Sequence, residues 1–285
     1  MRTEREMTEL ILNAARQDER IRAVIMNGSR VNPNAPRDIF QDFDIVYLVT
    51  DVTPFVNDSQ WIERFGERMI MQIPDDPPGK DQGSHTYLMQ FMDGNRIDLT
   101  LFPVAHIAGL ARDSLSAPLL DKDGLLKPFP APSDIDYLPK PPSSKQFLDC
   151  CNEFWWVCPY IAKGLWRKEP TYVKHHEFIV REQLLKMLTW HAGVRTGFLK
   201  SPGKLGKYLQ QYLEPESWQM LEKTYSDADF ENIWTALFAM TGLFRRTALS
   251  VAEHFGFAYP NADDERVTAH LHHVKALPED AAEMY

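Results

Sequence analysis

Five residues in three short stretches have the types and spacing for phosphoryl chemistry. Gly28 and Ser29 close an apolar run, Asp42 and Asp44 open a second, and Asp98 lies in the middle of a third. A glycine lets backbone approach a ligand closely, and a hydroxyl beside it at the start of a turn or helix makes a compact phosphate cradle. Two aspartates two residues apart on a strand share one face, where their carboxylates repel unless a cation lies between them. Mg2+ is the natural candidate, a hard ion held by one or two carboxylates together with substrate phosphates. With a third carboxylate from a neighbouring strand, the set can hold two metal ions about 3.5–4 Å apart. Such a pair activates an attacking hydroxyl and stabilises a pyrophosphate leaving group. Each piece alone is ambiguous, because a Gly-Ser pair after a strand is commonly a tight turn and acidic residues often end strands. The three together, in this order, are far more specific.

These residues need elements to hold them. Met7, Leu10, Ile11 and Ala14 fall on one stripe of an amphipathic first helix. The run 21–27 is short, rich in branched residues and ended by Gly28, which predicts a buried strand, and 44–50 predicts a second. The Gly, Asn and Pro content of 28–38 predicts a loop, with a short helix after Ser29. Trp61, Ile62, Phe65 and Met69 have helical spacing. The clearest hairpin joins 86–92 to 96–102 through Asp93-Gly94-Asn95. In its second arm Arg96, Asp98 and Thr100 share one face, and Ile97, Leu99 and Leu101 share the other. A helical piece around 104–115 and a short segment at 118–126 follow. The stretch 128–142 holds six prolines and reads as a linker or a surface strap. Beyond it the pattern becomes helical, roughly 144–166, 171–195, 216–225 and 229–256, with Ser143 or Ser144 as a first cap and Gly193 as a stop. The expected class is therefore α+β: a mixed β-sheet with flanking helices over 1–135, then an α-helical bundle over 136–285.

The chain has 285 residues, 44% hydrophobic and 25% charged, which is a globular composition. Its net charge of −9 argues against a nucleic-acid partner, because phosphate neutralisation needs a basic face. The same charge suits a cationic small substrate. Three cysteines, Cys150, Cys151 and Cys158, give neither a disulfide framework nor a zinc pattern. The charged N-terminus lacks the apolar core of a signal peptide, and no apolar run approaches the ~18 residues of a membrane span. A cytoplasmic protein without a membrane partner, monomeric or weakly dimeric, is expected.

The phrases Asn27-Gly28-Ser29-Arg30, Asp42-Phe43-Asp44 and the strand 96–102 resemble the nucleotidyltransferase superfamily that includes DNA polymerase β. The wider chain, through 26–47 and 151–193, is similar to the aminoglycoside 6-adenylyltransferases, which inactivate streptomycin. The resemblance covers nearly the whole chain, with no departure in the core motif. It implies that Gly28 and Ser29 hold the phosphates of ATP, with Arg30 beside them; Lys163 or Lys174 of the helical half is a separate candidate for reaching the same phosphates. It implies that Asp42 and Asp44 bind Mg2+, two ions in all, and that Asp98 is the third carboxylate, acting as metal ligand, general base or both. The implied reaction moves AMP from ATP to the 6-hydroxyl of streptomycin.

For the aminoglycoside, Glu153, Trp155, Trp156 and Tyr160 are the candidates, with Asp149 and Lys163 at compatible helical steps. Carboxylates and aromatic walls suit a guanidinium through bidentate hydrogen bonds and cation–π contact. An aromatic stripe at this spacing equally describes helix core. His175 and His176 are adjacent and so point in different directions on a helix, and the cluster at 270–273 lacks an acidic or cysteine partner for a metal and reads as a solvated tail. Two rivals stand beside the main reading: a nucleotidyltransferase for another small antibiotic, such as a lincosamide or another aminoglycoside, and a catalytically silent nucleotide-binding interaction module. Three converging carboxylates speak against the second.

Overall fold

The computed structural model describes residues 1–74 and 83–285. The chain divides into two compact units, Met1–Asp136 and Tyr137–Tyr285. In the first, helix α1 (Glu4–Gln17) starts at a capping box in which Thr3 and Glu6 satisfy each other's backbone N–H. Strands β1 (Ile21–Asn27) and β2 (Phe43–Val49) are joined through a 3-10 turn, Gly28–Arg30. A short helix α2 (Thr53–Val56) precedes strands β3 (Arg68–Gln72), β4 (His85–Phe91), β5 (Arg96–Pro103) and β6 (Ser116–Asp121).

The six strands form one mixed sheet in the order β3-β4-β5-β2-β1-β6. Only β2 and β5 run parallel; the other neighbours are antiparallel. One face buries Val24, Ile45, Tyr47, Leu99 and Leu101 against Met7, Ile11 and Ala15 of α1 and against Phe55, Trp61 and Phe65. Tyr47 donates its hydroxyl hydrogen to the carbonyl of Ile11 at 2.6 Å, so the polar tip of a fully buried ring is satisfied. The other face carries a smaller patch, Ala23, Ile25, Val46, Leu48 and Phe102. Period-two alternation puts Asp44 and Asp98 on this second face, one step beyond Val46 and two beyond Phe102.

The second unit is helical: α3 (Ser144–Trp166), α4 (Pro170–Thr196), α5 (Pro215–Glu222), α6 (Phe230–Phe255) and α7 (Asn261–Ala276). Ser143 caps α3 in a second capping box with Gln146. Phe154 of α3 stacks on Phe244 of α6 at 3.7 Å between ring centres, at the centre of the core. The three cysteines lie buried in α3, where burial pushes their thiols far above the ordinary range. None of the helices among the described residues is long and apolar enough to cross a membrane.

Four expectations are corrected. The helical spacing around 61–69 is a 3-10 turn, Trp61–Phe65, stopped by Gly66 at φ 113°, and Met69 sits in β3. The piece at 104–115 is a 3-10 turn over Val104–Gly109 alone. Helix α4 runs past Gly193 to a left-handed cap at Gly197. Gly193 instead receives the ring of Phe198, which would lie 2.4 Å from a Cβ there. The histidines at 270–273 belong to α7, not to a solvated tail.

Candidate active site

Backbone register builds the site. Asn27 of β1 pairs with Asp44 of β2, and Asp44 pairs with Asp98 of β5, so the three residues form one row across adjacent strands. Gly28 follows Asn27 directly and turns the chain at φ 78°. A Cβ at Gly28 would stand 2.2 Å from Asp44 Oδ2, so any side chain there collides with the carboxylate. Glycine is required twice at this position, for the left-handed backbone and for the close approach.

Arg30 ties the two phrases together. Its side chain is 6% exposed. It donates from Nε to the carbonyl of Asp42 at 3.0 Å and from Nη2 to that of Gln41 at 2.6 Å. The guanidinium lies 3.6 Å over the Phe43 ring, and Nη1 is 3.4 Å from Glu4. Gln41 returns the link, donating from Nε2 to the carbonyl of Ser29 at 3.1 Å. Two of the Arg30 donors thus go to the segment that carries Asp42, and the residue fixes the spacing between the Gly-Ser turn and the aspartates.

Asp44 has a carboxyl pushed up to about 6, by burial first, then by the charges of Asp98 and Asp42, with Arg96 and Arg30 pulling the other way. The residue that spacing did not single out is Arg96. It donates to both oxygens of Asp98, from Nε at 2.7 Å and Nη2 at 2.8 Å, and lies 3.7 Å from Asp42. Its signal was present in the alternation that puts Arg96, Asp98 and Thr100 on one face. Among the described residues, no three His, Cys, Asp or Glu side chains are gathered closely enough to hold one metal ion between them. Even so, the donor set has the chemistry of a hard-cation site. Its oxygens are carboxylates, Asp44 is only partly compensated, and the side-chain oxygen of Asn27 is buried without a hydrogen-bond partner in the same row.

The other candidates lie in the second unit. Trp155 is 2% exposed and packs into the helical core, and it also lines the floor of the groove bordered by Trp156 and Tyr160. Trp156 is 63% exposed and meets the Tyr160 ring edge-on at 6.4 Å; with Pro159 and Asp263 they border a surface groove between α3 and α7. Glu153 is exposed on α3. Lys163 has Nζ 4.9 Å from the centre of the Tyr160 ring and 5.4 Å from that of Tyr172. Lys174 is held by Glu177 at 2.7 Å and by Ser226 at 2.9 Å, a clamp between α4 and the loop before α6. Asp149 pairs with Lys145 one turn back along α3.

A mixed sheet that lays a glycine–serine turn beside carboxylates on two adjacent strands defines a nucleotidyltransferase-type domain. The chain matches the streptomycin adenylyltransferase family over residues 1–274, and it belongs to that family. It is 42% identical over 272 residues to the aminoglycoside 6-adenylyltransferase of Bacillus subtilis (strain 168), covering 93% of this chain and 95% of that protein. It is likewise 42% identical over 270 residues to the aminoglycoside 6-adenylyltransferase of Campylobacter jejuni, covering 93% of each. A crystal structure of an aminoglycoside 6-adenyltransferase from Bacillus subtilis, 36% identical, spans 97% of this chain and 100% of its own, with a TM-score of 0.48.

Proposed function

We propose that this chain is an aminoglycoside 6-adenylyltransferase that transfers AMP from ATP to the 6-hydroxyl of streptomycin and so confers resistance in the cytoplasm. The observation that carries the reading is the row Asn27–Asp44–Asp98 abutting the Gly28-Ser29 turn. Family membership and the names of the relatives support the acceptor. A net charge of −9 favours a cationic drug.

The turn holds the triphosphate. The N–H of Gly28 is engaged with the carbonyl of Leu115 at 2.9 Å, so phosphate contacts fall to the Ser29 hydroxyl and the following N–H groups. Asp42 and Asp44, with Asp98 as third carboxylate, would hold Mg2+, whose charge would offset that of the phosphates and of the departing pyrophosphate. The acceptor oxygen attacks the α-phosphorus in line, the bond to the bridging oxygen of the β-phosphate breaks, and pyrophosphate leaves. Asp98 takes the hydroxyl proton at its carboxylate once Arg96 releases an oxygen. Arg30 and Gln41 keep the phosphate turn and the aspartates at fixed spacing, because a near-attack geometry tolerates little displacement.

The test is purified protein with ATP, Mg2+ and a panel of aminoglycosides and lincosamides, with pyrophosphate release and product mass as readouts. Adenylylated streptomycin, modified at the 6-hydroxyl and absent with Asp44→Ala, is the expected outcome. Release with another antibiotic and none with streptomycin would move the assignment to that drug, and turnover that survives Asp44→Ala would sink the mechanism.

A further inference from the structure

Arg96 begins β5 on the same face as Asp98, two residues on, and its guanidinium engages both oxygens of that carboxylate while lying 3.7 Å from Asp42. A guanidinium fork fits carboxylate and phosphate equally well, because both present two acceptor oxygens at matching spacing. Arg30, the other cation facing Asp44, is committed to two backbone carbonyls and Glu4, with its side chain 6% exposed. The Arg96 side chain is 39% exposed, so it can swing outward from Asp98 without unpacking the sheet.

We propose that Arg96 is a nucleotide-phosphate-binding residue held in waiting by Asp98, and that this pairing couples binding of the divalent cation to binding of ATP. The inference rests on the site assigned above. A divalent ion arriving alone must displace the guanidinium from Asp98 and leave it without an anion. The triphosphate supplies that anion: Arg96 moves to the phosphates, Asp98 is released to the metal or the acceptor proton, and the carboxylates face the cation together. Coupling of this kind is reciprocal, so each ligand tightens the other. It also restrains the bare carboxylates from capturing free divalent ions.

The experiment measures two affinities separately on the full chain. The first is for Mn2+ without nucleotide, by electron paramagnetic resonance. The second is for an ATP analogue with a methylene bridge between the α- and β-phosphates, by calorimetry in chelator. Arg96→Gln should bind Mn2+ roughly tenfold tighter than wild type, since a competing unit charge is gone, and the analogue roughly tenfold weaker. Arg96→Lys should fall between, keeping the charge but losing the fork. Circular dichroism confirms that the variants fold. A purely structural role for Arg96 weakens both affinities, and that result, or either affinity left unchanged, overturns the inference. A wild type that binds both ligands with these differences but modifies no aminoglycoside would refute the proposed function while leaving the coupling intact.

Discussion

Removing the charge of Asp44 should stabilise the protein while abolishing its activity. The carboxyl is pushed from an ordinary 3.8 to about 6 by burial and by Asp98 and Asp42. That rise corresponds to roughly 3 kcal/mol of unfavourable ionisation at neutral pH. Asparagine still has to be desolvated, so a net gain of about 1–3 kcal/mol is expected for Asp44→Asn. The pH dependence follows from the direction of the shift. Below 3.8 the carboxyl is protonated in folded and unfolded chains alike and the substitution gains nothing. Between 3.8 and about 6 the unfolded chain gives up its proton while the folded one keeps it, so wild-type stability falls as pH rises. Above about 6 the deficit is complete. Urea unfolding in chelator at pH steps from 4 to 8 reads this directly, as a gap between variant and wild type that opens through pH 4–6 and then stays constant. Added Mg2+ should raise the wild-type midpoint and leave that of Asp44→Asn in place. A variant no more stable than wild type at pH 8, or a gap of equal size at every pH, would refute the electrostatic reasoning.

Gly28→Ala drives a methyl into Asp44 Oδ2, 2.2 Å from where it would stand, and forces a left-handed backbone; transfer activity should fall at least ~100-fold, with a crystal structure showing Asp44 displaced. Arg30→Lys keeps the charge but cannot serve the carbonyls of Gln41 and Asp42 together, so kcat should drop roughly tenfold with folding retained by circular dichroism. In the helical unit, Asp264 is 3% exposed and accepts hydrogen bonds from Arg245, Tyr259 and Thr268. Burial raises its carboxyl, but those bonds outweigh it and hold it below the ordinary 3.8. Its stabilisation is thus present above that value and lost as pH falls below it. Asp264→Asn should cost about 3 kcal/mol in urea unfolding at pH 7, a cost that shrinks as the pH falls below 3.8.

The phosphate turn, the aspartate pair and the hairpin bearing Asp98 are legible in sequence because each is a local pattern. Alternation within 96–102 says which residues share a face, and that sufficed to pick out Asp98. The parallel register that aligns Asp44 with Asp98 is not local, and no spacing within either strand encodes it. Arg30 shows the same limit. Its neighbours suggested a nucleotide contact, yet its targets are carbonyls eleven and twelve residues on, selected by how the loop folds back. Helix α7 went unseen because few of its residues are buried, Asp264, Leu271 and Val274, too sparse a stripe to stand out from its charges and histidines. Trp155 and Trp156 are adjacent, one in the core and one 63% exposed, and composition treats them alike.

The single parallel pairing in an otherwise antiparallel sheet has a consequence for when the protein becomes competent. Asp44 and Asp98 are 54 positions apart (98 − 44), and β5 sits between its hairpin partner β4 and the distant strand β2. Closing so long a loop is entropically costly until the paired strands reward it, so this junction is expected in the later part of assembly. On the ribosome, the phosphate turn and Asp42 emerge early but stay chemically inert until residues past 103 have left the exit tunnel. The site therefore reports completion of its sheet, and a chain truncated within β5 would keep the Gly-Ser turn and the aspartate pair yet have nothing to align them against.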